Sequence, residues 1–266
     1  MRHPYFDVPT PTVIGHRGAA GSAPENTLEG FALGLQLGAH ILESDIHQTR
    51  DGVPVLMHDD STARMTGRDA NVCDLDLSEL RELDASFGFV SRTNRGSETT
   101  FEGLRIPTVR EAFEQFPGER FNFEIKAEDT GLVEAVFALI AEFDRADRTL
   151  LAAEKDDVMG RIHAEAKRSG VKPAIGASVG DVLAHVRAAI ANEPPASDAM
   201  ALQIPVEFGG RALITPDLLK HAHQHGTVVH AWTINEADEM RRLLDLGVDG
   251  LITDHPERLR DLLATD

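Results

Sequence analysis

The stretch GLQLGAHILESD, residues 34–45, contains the repeating unit from which the fold can be predicted. A helical pattern ends at Gly38, and a short apolar run with strand character follows and ends at Asp45. The same arrangement returns near the other end of the chain as LLDLGVDGLITD, residues 243–254. We interpret the two stretches as units of one fold that share the same packing, a helix against a strand.

Short apolar runs alternate with helical patterns along most of the chain. The patterns predict strands at 13–14, 40–46, 53–58, 120–126, 149–153, 173–178, 201–204, 227–232 and 250–253. They predict helices at 26–38, where Asn26 is the expected N-cap, and at 131–143, 156–169, 180–191, 216–225 and 235–246. Strands separated by helices form parallel sheets, and 266 residues suit about eight such units. We therefore predict an α/β protein, a single (β/α)8 TIM barrel over residues 1–266.

Residues 59–119 interrupt the alternation. They are polar, they contain turn-rich stretches such as SRTNRGSETT, and they hold one predicted short helix, Leu77 to Leu83. We interpret this segment as a polar insertion after the third predicted strand, at the mouth of the barrel. An ordinary long connection that covers one side of the barrel is the alternative.

Composition narrows the possible partners. A formal net charge of −18 and a pI of about 5.0 disfavour binding to nucleic acid or to an anionic membrane. The single cysteine, Cys73, excludes an internal disulfide and is typical of a reducing compartment. The N-terminal residues lack the apolar segment of a signal peptide, and no run of 18 apolar residues exists. We expect a cytoplasmic protein without stable membrane insertion; the sequence leaves its oligomeric state open.

Polar side chains gather where the predicted strands end, which is the edge at which barrel enzymes carry their catalytic groups. These residues are His16, Arg17, Glu43, Asp45, His58, Glu124, Lys126 and Trp232. Alternate residues of a strand share a face, so the two acidic residues of the second strand should both point into the barrel. The same holds for Glu124 and Lys126.

Three carboxylates that converge on the barrel axis would raise one another's pKa unless a cation neutralised them. Oxygen ligands favour calcium or magnesium over zinc. Glu43, Asp45 and Glu124 are therefore candidate ligands of one divalent ion, Ca²⁺ or Mg²⁺. A solvated edge strand and a structural ion pair are the alternatives for these residues.

The cationic residues suggest the reaction. Arg17 and Lys126 are natural partners for a phosphate group, and His16 and His58 can act as general acid and base. A metal would withdraw charge from phosphoryl oxygens. Together these groups predict hydrolysis of a phosphodiester.

The chain resembles the glycerophosphodiester phosphodiesterase family over nearly its whole length. The matching motifs, in order, are GHRG (15–18), PENT (24–27), ESD (43–45), DGVPVLMHDD (51–60), IPTVREAF (106–113), FNFEIK (121–126), AWTIN (231–235) and GVDGLITDHP (247–256). The resemblance implies a barrel with a calcium or magnesium ion at its mouth and hydrolysis of glycerophosphodiesters to glycerol 3-phosphate and an alcohol.

The resemblance also implies a role for each residue of the site. His16 and His58 would be the acid/base pair; Glu43, Asp45 and Glu124 would hold the metal; Arg17 and Lys126 would hold the phosphate; and Trp232 would line the pocket. Two further positions stay open. Glu154 stands where family members carry a serine before an aromatic residue, and Gln203 ends another predicted strand.

Two other functions remain to be tested. A phospholipase D acting on lysophospholipids or sphingolipids would share this type of site, but it would need an apolar surface at the mouth, which the polar insertion does not suggest. A non-catalytic barrel that binds phosphorylated ligands should have lost a histidine or a metal carboxylate, and none of the five is missing.

Overall fold

Eight parallel strands surround a common axis in the computed structural model, which describes residues 2–92, 98–126 and 131–264. The strands of the chain are β1 (Thr12–Gly15), β2 (Ile41–Gln48), β3 (Pro54–Leu56), β4 (Val90–Arg92), β5 (Glu98–Thr100), β6 (Arg120–Ile125), β7 (Thr149–Ala152), β8 (Ala174–Ile175), β9 (Ala201–Pro205), β10 (Glu207–Phe208), β11 (Arg211–Ala212), β12 (Val228–Trp232) and β13 (Gly250–Thr253).

The barrel order is β8-β7-β6-β2-β1-β13-β12-β9. The backbone N–H of Met200 donates to the carbonyl of Ile175 at 2.8 Å, which brings the two ends of this sheet together. The prediction of a (β/α)8 barrel is confirmed. Among the parallel pairs, Glu43 stands opposite Asn122 and Asp45 opposite Glu124, so the acidic residues of β2 and β6 lie side by side.

The helices are α1 (Leu28–Gln36), α2 (Ala63–Thr66), α3 (Leu77–Leu80), α4 (Val109–Gln115), α5 (Leu132–Glu142), α6 (Asp156–Ser169), α7 (Val179–Ala191), α8 (Pro216–Gln224), α9 (Ala237–Leu246) and α10 (Pro256–Leu263). The sequence interpretation missed α2, α4 and α10. It also misplaced the cap of α1, because the Thr27 hydroxyl accepts from the Gly30 N–H at 3.0 Å. Asn26 is instead buried at a positive φ, where it accepts a hydrogen bond from Ser44.

The third predicted strand has a different role from the one expected. β3 runs antiparallel to β2, with Leu56 opposite Ile46, and lies outside the ring of eight parallel strands. His58 therefore follows an added strand and not a barrel strand. A separate apolar cluster joins β3 to the segment that follows, and it contains Val55, Met57, Met65, Val72, Leu75, Leu80, Leu83, Ala85 and Ile106.

Alternation along the strands separates two layers of apolar packing. Leu42 and Ile46 of β2 face outward against the helices, as do Phe121 and Phe123 of β6. Inward-facing residues at the amino ends of the strands pack around Tyr5, Phe6 and Ile14. A single 3-10 turn, Pro4–Phe6, inserts those two aromatic rings into the barrel. The polar residues that follow on the inward face are thus left at the opposite, carboxyl end.

In the described ranges, none of the helices is long and apolar enough to cross a membrane.

The free energy of unfolding should depend on pH through His230, an inward-facing residue of β12. Burial lowers the pKa of His230 to about 4, against an ordinary value of 6.5. The folded protein therefore keeps this ring neutral between those pH values, while the unfolded chain takes up a proton. We expect the contribution of His230 to stability, about 3 kcal/mol, to be lost as the pH falls from 6.5 to 4.

Urea unfolding of the wild type and of His230→Gln at several pH values between 7 and 4 would measure this dependence. The variant should lose less free energy of unfolding than the wild type over that range, whatever its stability at pH 7. His163→Gln, on the outer helix α6, controls for the removal of an imidazole elsewhere. Equal pH dependence in the wild type and in His230→Gln would contradict the assignment.

Candidate active site

A cavity of about 480 Å³ opens at the carboxyl end of the barrel, and all eight residues selected from the sequence line it. They are His16, Arg17, Glu43, Asp45, His58, Glu124, Lys126 and Trp232. Glu154 and Gln203 line it as well. The side-chain amide nitrogen of Gln203 is buried and has no hydrogen-bond partner among the residues that the structure describes, so it is a donor available to a ligand.

The turn after β1 brings a histidine and an arginine to the floor of this cavity. Arg17 has φ of 49° and Gly18 has φ of 94°, a left-handed pair that few residues tolerate. A Cβ on Gly15 would lie 2.1 Å from the carbonyl oxygen of Gly18, so this turn closes only with glycine there. The Arg17 N–H then donates to Glu43 Oε2 at 3.0 Å, which fixes the turn to β2.

His16 is held by a carboxylate from the far end of the chain. Its Nδ1 lies 2.6 Å from Asp254 Oδ1, and the other oxygen of Asp254 accepts from the Asn235 side chain at 2.6 Å. Burial alone would lower the pKa of His16, but the bond to Asp254 and the charge of Glu43 outweigh it, so the pKa is raised. The Nε2 edge of the ring is left for the cavity.

His58 is held in the same way by its own neighbour. Its Nδ1 lies 2.7 Å from Asp59 Oδ1. Hydrogen bonds from Arg64 and from His58 lower the pKa of Asp59 to about 2, despite some burial. Because that carboxylate is ionised, the Nδ1 of His58 must donate to it, which leaves Nε2 as the ring nitrogen that can exchange a proton. Two imidazoles with anchored Nδ1 atoms thus meet at one site.

Two cations stand among the three carboxylates. Lys126 Nζ lies 3.3 Å from Asp45 Oδ1 and 2.9 Å from Glu124 Oε2, and Arg17 Nε lies 3.4 Å from Asp45 Oδ2. Burial, with a smaller contribution from Asp45, raises the pKa of Glu43 to about 7. Positive charge beside Glu43 would favour its ionised form.

The three carboxylates are chemically suited to a hard divalent cation, although their present arrangement is not a metal-binding geometry. Carboxylate oxygens are the ligands that such ions prefer, and no described residue donates a hydrogen bond to the buried Asp45 Oδ2. In the part of the chain that is described, no three Asp, Glu, His or Cys side chains stand in metal-binding geometry. The Lys126 ammonium now lies between Asp45 and Glu124, and it would have to leave before an ion could bind both.

The opposite wall of the cavity is apolar. It is formed by Ala177, Val179, Val182, Leu183, Phe208, Leu213 and Trp232, which come from the start of α7, the β10–β11 hairpin and the end of β12. Phe208 is 69% exposed and Trp232 is 43% exposed. The expectation that the mouth lacks an apolar surface, drawn from the polar insertion, was wrong because this surface comes from other segments.

Comparison with known proteins places the chain among phosphodiesterases. The sequence profile of the glycerophosphoryl diester phosphodiesterase family matches residues 16–258. A glycerophosphodiester phosphodiesterase of Caldanaerobacter subterraneus subsp. tengcongensis is 30% identical, with 94% of this chain and 97% of that protein covered. A lysophospholipase D of Homo sapiens is 29% identical, with 94% and 85% covered.

A solved structure adds a bound product to these comparisons. The phosphodiesterase of Oleispira antarctica in complex with sn-glycerol 3-phosphate superposes with a TM-score of 0.75 at 26% identity, and 98% of this chain and 99% of that chain are covered. The similarity therefore spans the whole barrel.

Proposed function

The chain belongs to the glycerophosphoryl diester phosphodiesterase family, and on that premise we propose that His16 and His58 catalyse hydrolysis of a glycerophosphodiester to glycerol 3-phosphate and an alcohol. The observation that carries the proposal is the pair of carboxylate-anchored imidazoles, His16 on Asp254 and His58 on Asp59, in one cavity with the cations Arg17 and Lys126.

We propose the following roles for these side chains. Arg17 and Lys126 hold the phosphate by charge-assisted hydrogen bonds. As an oxygen nucleophile forms its bond to phosphorus, its proton passes to the free Nε2 of one histidine. As the bond from phosphorus to the leaving oxygen breaks, the other histidine, protonated beforehand, gives its Nε2 proton to that oxygen. The nucleophile is water or the glycerol hydroxyl of the substrate; a cyclic phosphate product would identify the latter.

We further propose that Glu43, Asp45 and Glu124 bind one Ca²⁺ or Mg²⁺ ion. When bound, such an ion withdraws charge from the phosphoryl oxygens. The ammonium of Lys126, which now lies between Asp45 and Glu124, would then be available to the phosphate. The donor chemistry and the raised pKa of Glu43 support this proposal.

Release of glycerol 3-phosphate from a panel of diesters tests the proposed function directly. Glycerophosphocholine, glycerophosphoethanolamine and glycerophosphoglycerol would each be incubated with chelator, with Mg²⁺ and with Ca²⁺. We expect metal-dependent release from at least one diester. No release from any of them under any condition would contradict the proposal.

A second candidate, hydrolysis of lysophospholipids, is favoured by one observation, the apolar wall opposite the histidines. An acyl chain attached to the glycerol could pack along Leu183 and Phe208 while its phosphate meets Arg17. The similarity to a protein named lysophospholipase D agrees with this candidate.

If lysophospholipids are substrates, Phe208→Asp should lower their turnover selectively. Removing one apolar contact of about 1.4 kcal/mol corresponds to about tenfold. We expect the ratio of kcat/KM for lysophosphatidylcholine to that for glycerophosphocholine to fall about tenfold. Phe87→Asp is the matched control, because Phe87 is 60% exposed and does not line the cavity. An unchanged ratio in Phe208→Asp would remove the support for this candidate.

The domain organisation and the cellular location of the protein follow from fewer observations. We propose that residues 1–266 form one phosphodiesterase domain and that 59–119 are a connection at the mouth of the barrel, because Asp59 at its start binds His58, which lines the cavity. A cytoplasmic location and the absence of nucleic-acid partners stay predictions from the single cysteine and the net charge of −18.

A further inference from the structure

Arg64, on the short helix α2, binds two carboxylates that come from different parts of the chain. Its Nε and Nη2 lie 2.7 Å and 3.1 Å from the two oxygens of Asp59. Its Nη1 and Nη2 lie 2.6 Å and 2.7 Å from the two oxygens of Glu25. Arg64 itself is half exposed and does not line the cavity.

Each of the two carboxylates also binds a residue of the proposed active site. Asp59 accepts from Nδ1 of His58 at 2.7 Å. Glu25 accepts from Nη1 of Arg17 at 2.9 Å, and Arg17 in turn approaches Asp45. One guanidinium therefore connects the orienting partner of a histidine to the orienting partner of the phosphate-binding arginine.

The geometry distinguishes Arg64 from an ordinary surface ion pair, which contributes little. Both carboxylates are engaged through both oxygens, an arrangement that the planar guanidinium of arginine allows and the ammonium of lysine does not. Glu25 is largely buried, with 16% of its side chain exposed, and burial would raise its pKa. Its bonds to Arg64 and Arg17 outweigh burial, so the pKa is lowered and the carboxylate stays charged.

Arg50 provides a comparison within the same protein. It is 52% exposed and binds Asp76 at 2.9 Å and Glu79 at 2.7 Å, so it too connects two carboxylates. Neither of those carboxylates is bonded to a cavity residue in the described part of the chain. Arg50 has the local chemistry of Arg64 without the connection to the site.

We propose that Arg64 is a positioning residue that fixes His58 and Arg17 relative to each other, through Asp59 and Glu25. The inference rests on the proposed function, since it takes the roles of those two residues from it. The segment after β3 then contributes to turnover, because it supplies the guanidinium that aligns His58 and Arg17.

Steady-state kinetics of Arg64→Ala, Arg64→Lys and Arg50→Ala on glycerophosphocholine test the inference. We expect Arg64→Ala to lower kcat by about 10- to 100-fold, with a smaller rise in KM, the range expected when a supporting side chain of a site is lost. Arg64→Lys should recover little of this, because an ammonium cannot bind both carboxylates in the same way. Arg50→Ala should retain the wild-type kcat and KM.

Chemical rescue separates positioning from a loss of folded protein. Guanidinium chloride at about 10 mM, far below the molar concentrations that unfold proteins, should raise the kcat of Arg64→Ala several-fold. It should leave the kcat of Arg50→Ala unchanged. Thermal unfolding of each variant shows whether it is folded at the assay temperature, and Arg64→Lys keeps the charge if the alanine variant does not fold.

A second measurement does not depend on turnover. In protein labelled with ¹⁵N-histidine, the ring signals of His58, identified by their absence in His58→Asn, report its tautomer and its bond to Asp59. We expect them to shift or broaden in Arg64→Ala and to stay in place in Arg50→Ala. If the wild type hydrolyses no diester, the proposed function fails while this comparison still tests the connection. Wild-type kinetics in Arg64→Ala, or ring signals in it that match Arg50→Ala, would overturn the inference.

Discussion

His16→Ala and His58→Ala are each expected to lose about a thousandfold in kcat while the protein keeps its fold. Proton transfer by a positioned side chain contributes about 10²- to 10⁴-fold. Asp254 and Asp59 bind the Nδ1 atoms of these two cavity-lining rings, so Nε2 is the nitrogen that would transfer the proton in each. Neither ring belongs to the apolar clusters that hold the barrel together, so circular dichroism and thermal unfolding should stay close to those of the wild type.

Asparagine at these positions makes the test sharper. The asparagine side-chain N–H₂ can replace Nδ1 as the donor to Asp59 or Asp254, so the surroundings are preserved while the proton-transferring nitrogen is lost. His58→Asn and His16→Asn should therefore be as inactive as the alanine variants. His163→Ala, on α6, is the control. Near wild-type rates in either asparagine variant would rule out acid/base catalysis by that histidine.

A substrate with a better leaving group would then show which histidine is the general acid and which is the general base. A glycerophosphodiester of p-nitrophenol releases an anion that needs no proton. The variant that lacks the general acid should recover much of its rate on this substrate, and the variant that lacks the general base should not. Equal deficits of both variants on both substrates would contradict a division into one acid and one base.

Asp45→Asn is expected to abolish metal-dependent turnover, with a loss of about a thousandfold or more that added Mg²⁺ or Ca²⁺ does not restore. Asp45 follows Glu43 by two positions on β2 and stands opposite Glu124, and within the described ranges its buried Oδ2 accepts no hydrogen bond. Its carboxylate therefore stands where an ion held by all three would need a charge. Chelation of the wild type should give a similar loss, but a reversible one.

Thermal unfolding gives a readout of metal binding besides activity. A ligand that binds only the folded state raises stability by about 2.7 kcal/mol at a hundred times its Kd. Added Ca²⁺ or Mg²⁺ should raise the Tm of the wild type and leave that of Asp45→Asn unchanged. Asp69→Asn, an exposed aspartate of the segment after β3, is the control and should respond as the wild type does. A chelator-insensitive wild type, or a rise in Tm in Asp45→Asn equal to that of the wild type, would refute the proposed metal site.

The polar residues at the strand ends could be found from the sequence because of two regularities. Alternation along a strand places Glu43 and Asp45 on one face, and the carboxyl ends of parallel strands meet at one edge of a barrel. These rules do not require knowledge of which strands are neighbours. For that reason the cavity lining was predicted even though the order of the strands and the antiparallel course of β3 were not.

The groups that orient those residues were not found. Asp254 stands at the strand end of the repeated unit LLDLGVDGLITD, as Asp45 does in the first unit, and that signal was present without a role attached to it. Arg64 gave no signal of its own, and Glu25 appeared only as part of the PENT motif without a role, because the connection between them is a contact across 39 residues. Apart from Trp232, the apolar wall was missed because its members come from separate segments, the start of α7 and a short hairpin.

The barrel, its polar mouth and the chemistry of the polar side chains that line it could thus be predicted from local patterns in the chain. Periodicity is a local property, and residues two or four positions apart carry it. Which carboxylate holds which histidine, the place of Lys126 between Asp45 and Glu124, and the apolar wall of the cavity became visible in the folded chain alone. Hydrogen bonds and ion pairs act over about 3 Å, and segments as distant in the chain as His16 and Asp254 reach that distance only when the barrel closes.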